Sequence, residues 1–262
     1  MTRWRKLRAQ GELAAWTVGD GPVLLAAHGI EDGWRSWTRV AERLAGHYRV
    51  IALDLPWRSG NDYRWHAEAT PGEWLARALD LVDEPEHALL SHSFGATATL
   101  ELLAAGHRPA AAALVAPFYR AAHLVPERAR EPSRAALRTT IRTGLRLRLG
   151  TRRVEQDVLD IMERGLEDHL MPTVFPIFFD YFTDSADLEL SAVDVPVLVL
   201  AGTNDPSLTA DRAAALGAAM PAATVRTHDH YTHFCHLEQA ADLAGEVADF
   251  LTHHELTGGH TR

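Results

Sequence analysis

A series of short apolar runs constrains this chain more than any other feature. They are Pro22–Ala27, Arg49–Leu53, Ala88–Leu90, Ala110–Val115 and Pro196–Ala201. Each is almost unbroken in apolar character, the pattern of a strand buried on both faces. Each also ends in turn residues that lead into helix-forming sequence. Strands alternating with helices assemble βαβ units around a mostly parallel sheet. Ligands collect at the carboxyl ends of the strands in such sheets, and His28-Gly29, Asp54, Ser93 and Phe118 all stand there.

The rest of the chain fits around this frame. Trp4 to Arg8 and Glu12 to Val18 alternate about Gly11 and predict an N-terminal antiparallel hairpin, closed by Gly19-Asp20-Gly21-Pro22. Helices are predicted from Trp37 to Leu44, from Ser93 to Ala105, from Thr209 to Ala219 and from His236 to about His254, with a further strand over Ala223 to Thr227. Thr70-Pro71-Gly72-Glu73 sets a cap, a proline at the first helical position and a glutamate at the third before a helix reaching Val82. Between residues 117 and 190 the strand pattern stops. Arginine-rich helical sequence is followed there by Met171 to Phe182, dense in aromatics. We read 117–190 as an inserted helical cap, and 1–116 with 191–262 as one core domain.

The junction Ser91-His92-Ser93-Phe94-Gly95 joins an apolar run to a helix. It has the form small-x-Ser-x-Gly, close to the G-x-S-x-G elbow that holds a serine hydroxyl out at the top of a sheet. The same residues also suit an ordinary strand-to-helix joint with Ser93 as the helix cap. Asp205 follows the run Val197 to Ala201, either as a carboxylate held at a strand end or as the turn residue of Asn204-Asp205-Pro206. No carboxylate follows the preceding run, Ala113 to Phe118. His228, His230, His233 and His236 crowd one loop, but their spacing matches no usual zinc pattern and no cysteine pair assists. No metal is expected.

Composition narrows the class. The 262 residues are 47% hydrophobic and 23% charged, as in an ordinary soluble globular protein, and no apolar run approaches a membrane span. A formal net charge of −9 argues against a nucleic-acid partner. Cys235 is the only cysteine, which excludes an internal disulfide and suits a reducing cytoplasm. The basic N-terminus lacks the apolar segment of a signal peptide, so a cytoplasmic location is expected.

Taken together, Leu24-Leu25-Ala26-Ala27-His28-Gly29, Tyr48 to Pro56, Ser91 to Gly95, Val197 to Asp205 and His233 to Glu238 resemble signatures of the α/β-hydrolase superfamily. The resemblance implies an α/β fold with a mostly parallel central sheet, N-terminal antiparallel strands and a helical cap. It assigns Ser93 as nucleophile, Asp205 as acid and His233 as base, in the family's chain order. The oxyanion hole it implies uses the backbone N–H groups of Ile30 and Phe94. Candidates for substrate contact are His28, Trp34, Phe118, Phe178 and Phe179. The expected activity is cofactor-independent serine hydrolysis of an ester, thioester or related small acyl compound, free or bound to a carrier protein. Acyl transfer, carbon–carbon bond hydrolysis and non-catalytic ligand binding remain alternatives within the fold. Epoxide hydrolases and haloalkane dehalogenases look for aspartate where Ser93 stands. Two departures from the family pattern matter: Ser91 replaces the first elbow glycine, and Trp57-Arg58 replaces a glycine and is expected to reshape one wall of the mouth.

In the cap, Arg130, Arg134, Arg138, Arg142 and Arg146 recur every four residues along one helix face. Such a stripe is either a solvated face or a docking face for an acidic partner such as an acyl carrier protein. The aromatic run Phe175 to Phe182 is either the ceiling of an apolar pocket or the core of the cap.

Overall fold

The computed structural model describes residues 3–85, 87–150 and 154–254. Strands β1 (Arg5–Gln10) and β2 (Leu13–Val18) form the expected hairpin. They are followed by β3 (Val23–Ala27), helix α1 (Thr38–Leu44), β4 (Arg49–Asp54), α2 (Pro71–Val82), β5 (His87–His92), α3 (Phe94–Ala104) and β6 (Ala111–Val115). Two long helices come next, α4 (Pro126–Leu149) and α5 (Gln156–Asp184). The chain ends through β7 (Val197–Gly202), α6 (Ala210–Ala219), β8 (Ala223–His228), α7 (Cys235–Glu238) and α8 (Ala240–His253).

The eight strands form one sheet in the order β1-β2-β4-β3-β5-β6-β7-β8. The β1·β2 and β2·β4 pairs are antiparallel and the other five are parallel. Register makes rows across the sheet: Ala26, Leu90, Ala113 and Leu198 lie side by side, and Leu25, Leu89, Ala112 and Val197 form the next row. Successive residues of a strand face opposite sides, so the first row belongs to the core shared with α1 and α8 and the second to the core shared with α2, α3 and α6. Both faces being covered, the central strands carry apolar residues at consecutive positions.

Helix α2 starts where the local signal places it. Thr70 and Glu73 form a reciprocal capping box, with Pro71 at the first helical position. Gly72 lets α2 lie against α3, since a Cβ there would meet Glu101 Cβ at 2.7 Å.

The α4–α5 pair lies between β6 and β7 in sequence. Prolines at 172 and 176 inside α5 oppose its helicity locally, and the burial of Met171, Val174, Phe175, Phe178, Phe179 and Phe182 along the same stretch outweighs them. The arginine stripe of α4 faces this helix. Arg138 and Arg142 reach Glu167, and Arg146 lies 2.7 Å from Glu163. The guanidinium of Arg130 stacks over Phe175 and Phe179, and that of Arg134 over Phe175. The stripe is exposed from Arg130 to Arg142, and Glu163 and Glu167 pair with three of its five arginines, so it keeps an excess of positive charge on a largely solvated face. Arg152 and Arg153 lie outside the described residues.

Candidate active site

Ser93 sits between β5 and α3 with φ 56° and ψ −121°, a conformation non-glycine residues rarely adopt. Its side chain makes no helix-capping hydrogen bond, so the joint is not a capped helix start. Gly95 is required beneath it, because a Cβ there would lie 2.4 Å from the carbonyl oxygen of His28. Ser91 stands in for the first elbow glycine at no cost in unpaired polarity: the hydroxyl of Thr99 is 3.0 Å from Ser91 Oγ.

The strand order brings two other loops to the same edge. Asp205 follows β7, where its Oδ1 accepts from the backbone N–H of Ser207 at 2.7 Å. The loop between β8 and α7 passes over the end of β7, and Gly202 admits it, since a Cβ at that position would overlap the carbonyl oxygen of Tyr231. His233 then lies with Nδ1 3.0 Å from Asp205 Oδ2 and Nε2 3.0 Å from Ser93 Oγ. All three residues are buried. The Asp205 carboxylate orients the ring so that Nδ1 carries the proton, leaving the Nε2 lone pair toward the hydroxyl.

This constellation borders a cavity between the sheet edge and the helical pair, lined by Gly29, Ile30, His92, Phe118 and Phe234 below. Leu137, Ile141 and Gly144 of α4 and Leu166, Leu170 and Val174 of α5 lie above. Glu31, Asp32 and Arg148 give it one polar end. Phe94 is the first residue of α3, so its N–H has no intrahelical acceptor, and Ile30 borders the cavity.

A family model described as the alpha/beta hydrolase family matches residues 23–246, most of the chain. The chain belongs to that family. A stretch of 90 residues is 33% identical to the pimeloyl-[acyl-carrier protein] methyl ester esterase of Aeromonas salmonicida, spanning 32% of this chain and 33% of that protein. Among solved structures, a bacterial membrane phospholipase A superposes with TM-score 0.67 at 19% identity, over 97% of this chain and 86% of that one. The thioesterase domain from the curacin biosynthetic pathway superposes with TM-score 0.64 at 17% identity, over 95% and 99%. A haloalkane dehalogenase loop variant from Bradyrhizobium elkanii gives 0.66 at 17%, over 97% and 98%. At such identities these structures share the fold with this α/β-hydrolase and nothing narrower.

The structure brings Ser93, Asp205, His233, Ile30, Phe94 and Phe118 to this edge and sets other candidates aside. His28 is fully buried: its Nδ1 donates to Gly29 O at 2.7 Å and its Nε2 accepts from Leu55 N at 3.0 Å. It ties β3 to β4 and does not line the cavity, and burial holds its imidazole below the usual range. Trp34 stacks on Trp16 at 4.5 Å beside the N-terminal hairpin. Phe178 packs behind Phe118, and Phe179 against Phe175 and Phe182, so neither borders the cavity. The aromatic run is thus core of the helical pair, and the ceiling is aliphatic. Trp57 is equally corrected: fully buried, it donates from Nε1 to His28 O at 3.0 Å and shapes no wall of the cavity.

In the histidine loop, His228 pairs with Glu246 and His230 with Asp242 on α8, away from the cavity. Burial, with Asp205 nearby, raises the Cys235 thiol to about 12, which leaves it protonated and unreactive. Sequence reasoning missed His92, Asp32 and Phe234 at the cavity. The signal for His92 was available: strand parity puts it on the face opposite Ser91, toward α1.

Among the described residues no helix is long and apolar enough to cross a membrane.

Proposed function

We propose that this α/β-hydrolase is a serine hydrolase that cleaves an ester, thioester or related small acyl compound through an acyl-enzyme on Ser93. The observation that carries the reading is the continuous line from Ser93 Oγ to His233 Nε2 at 3.0 Å and from His233 Nδ1 to Asp205 Oδ2 at 3.0 Å. A serine hydroxyl is a poor nucleophile until a base removes its proton as it attacks. His233 takes that proton, the Oγ–carbonyl bond forms, and the N–H groups of Ile30 and Phe94 stabilise the oxyanion. His233 then protonates the leaving alcohol or thiol. A water molecule, deprotonated by the same imidazole, attacks the acyl-enzyme and releases the acid. No cofactor enters this sequence.

The aliphatic ceiling supports an apolar acyl group. The cavity is small, about 40 Å³, against roughly 10–15 Å³ for one water, which favours a short acyl chain. The similarity to an esterase acting on a carrier-bound ester supports ester chemistry.

A fluorophosphonate probe with peptide mapping tests the reading. Labelling at Ser93 that disappears in His233→Ala is expected. Folded wild-type protein that resists the probe would instead make the chain a non-catalytic ligand binder.

A further inference from the structure

A second cluster of ionisable side chains lies behind the triad. His92 precedes Ser93 and is buried on the side away from the substrate cavity's ceiling. Its Nε2 lies 2.7 Å from the backbone carbonyl oxygen of His233. A carbonyl only accepts, so His92 carries its proton on Nε2 and donates to the residue that bears the base. The ring of His236 packs on the other side of His92, with centroids 3.9 Å apart and planes tilted by 38°, and Trp37 backs His236 at 5.3 Å. Asp32, on the loop after β3, closes the line with Oδ2 3.6 Å from His236 Nε2. Among the described residues neither His236 nitrogen nor Asp32 Oδ2 has a closer polar partner. Gly29 makes room for the arrangement, since a Cβ there would press on His92 Nδ1 at 3.1 Å.

Resting on the serine-hydrolase reading above, we propose that His92, backed by His236 and Asp32, is a positioning residue that fixes the His233 backbone over Ser93. Asp205 fixes the ring of His233, but the distance from Nε2 to Ser93 also depends on where the loop carrying that ring is anchored. The β8–α7 loop spans residues 229–234, and His92 ties it directly to the elbow that carries the nucleophile. Three chain segments then share one set of contacts: the β3 loop, the elbow, and the histidine loop with α7. Electrostatics suit the role. Burial, with the neighbouring His236 and His233, keeps His92 well below the usual imidazole range, so it stays neutral and does not oppose the positive charge His233 acquires during catalysis. Burial opposes ionisation of Asp32, yet the proximity of His236, with His28 and Arg148, keeps its carboxyl below the usual range.

The test compares His92→Phe, His92→Gln, His236→Asn and Asp32→Asn in the full-length protein. Readouts are the rate of Ser93 labelling by a fluorophosphonate, and kcat and KM on p-nitrophenyl butyrate. Phenylalanine keeps a ring but has no donor, and a misplacement of about 1 Å costs roughly 10²-fold in rate. His92→Phe is expected to lower kcat and labelling by about that factor with KM nearly unchanged. His92→Gln, whose amide N–H reaches the same carbonyl, is expected to restore most of the loss. His236→Asn and Asp32→Asn are expected to fall between, and they carry the test if His92→Phe does not fold. A folded His92→Phe with wild-type kcat overturns the proposal. So does stoichiometric Zn²⁺ binding by calorimetry that is lost in His236→Asn, because Asp32, His92 and His236 would then be metal ligands, their donor atoms lying within 4.8 Å of one another. If the wild type itself is not labelled, the serine-hydrolase reading fails first.

Discussion

Ser93 holds a backbone conformation with φ 56°, which costs a serine on the order of 1–3 kcal/mol. The geometry above it compensates by presenting Oγ to His233. Glycine adopts the same conformation without strain, at an entropic cost of roughly 0.5–1 kcal/mol. Ser93→Gly is therefore expected to be about 1 kcal/mol more stable in urea unfolding while losing hydrolysis, and a less stable variant would contradict the strain argument. At the other end of the triad, Asp205→Asn leaves the contacts in place but favours the wrong imidazole tautomer. A loss of about 10⁴-fold in kcat is expected, with KM little changed.

Between elements, the α2–α3 contact is expected to weaken as pH rises. Glu101 accepts from Gly72 N at 2.8 Å, and burial raises its carboxyl from 4.5 to about 7. Within that window the folded state keeps a proton that the unfolded chain releases, so stability falls as pH rises and levels off above the folded value. Glu101→Gln keeps the acceptor and removes the charge. Urea unfolding at intervals across that window is expected to give a flatter profile for the variant, and parallel profiles would remove Glu101 as the cause. The α4–α5 pair is tied instead by the pairing of Arg138, Arg142 and Arg146 with Glu163 and Glu167. Arg138→Glu with Arg142→Glu places four carboxylates near one another where Glu163 and Glu167 already sit. Faster hydrogen exchange across residues 156–171 is the expected result. An intact pair that loses kcat/KM only on a carrier-bound ester, in a salt-dependent way, would support the docking reading of the stripe.

For the molecule as a unit, the acyl-chain preference of the proposed activity is expected to follow from how closely α4 and α5 sit over the sheet edge. Leu137, Ile141, Leu166 and Leu170 close the cavity from above, so longer acyl chains must displace packed aliphatic side chains. With p-nitrophenyl esters, kcat/KM is expected to peak at acetate or butyrate and to fall by about tenfold or more toward octanoate, near 1.4 kcal/mol of lost transition-state binding. A profile that rises with chain length would mean that the helical pair opens in solution.

The order of strands and helices and the elbow were legible in the chain because each rests on local chemistry, while the order Ser93, Asp205, His233 was legible only through the resemblance to the family. Apolar runs mark strands, a small-residue joint marks a strained turn, and Thr70-Pro71-Gly72-Glu73 marks a helix start. The lining of the cavity was not legible in this way. Phe178 and Phe179 are apolar enough for either a ceiling or a core, and which they become is decided by packing on Phe118 and on Arg130 of α4 rather than by any local preference. His28, Trp57, His92 and His236 were ambiguous for the same reason. A histidine or tryptophan at a strand end has no role until partners distant in sequence, such as Leu55, the carbonyl of His233 or Asp32, are brought beside it, and that proximity arises only when the sheet closes.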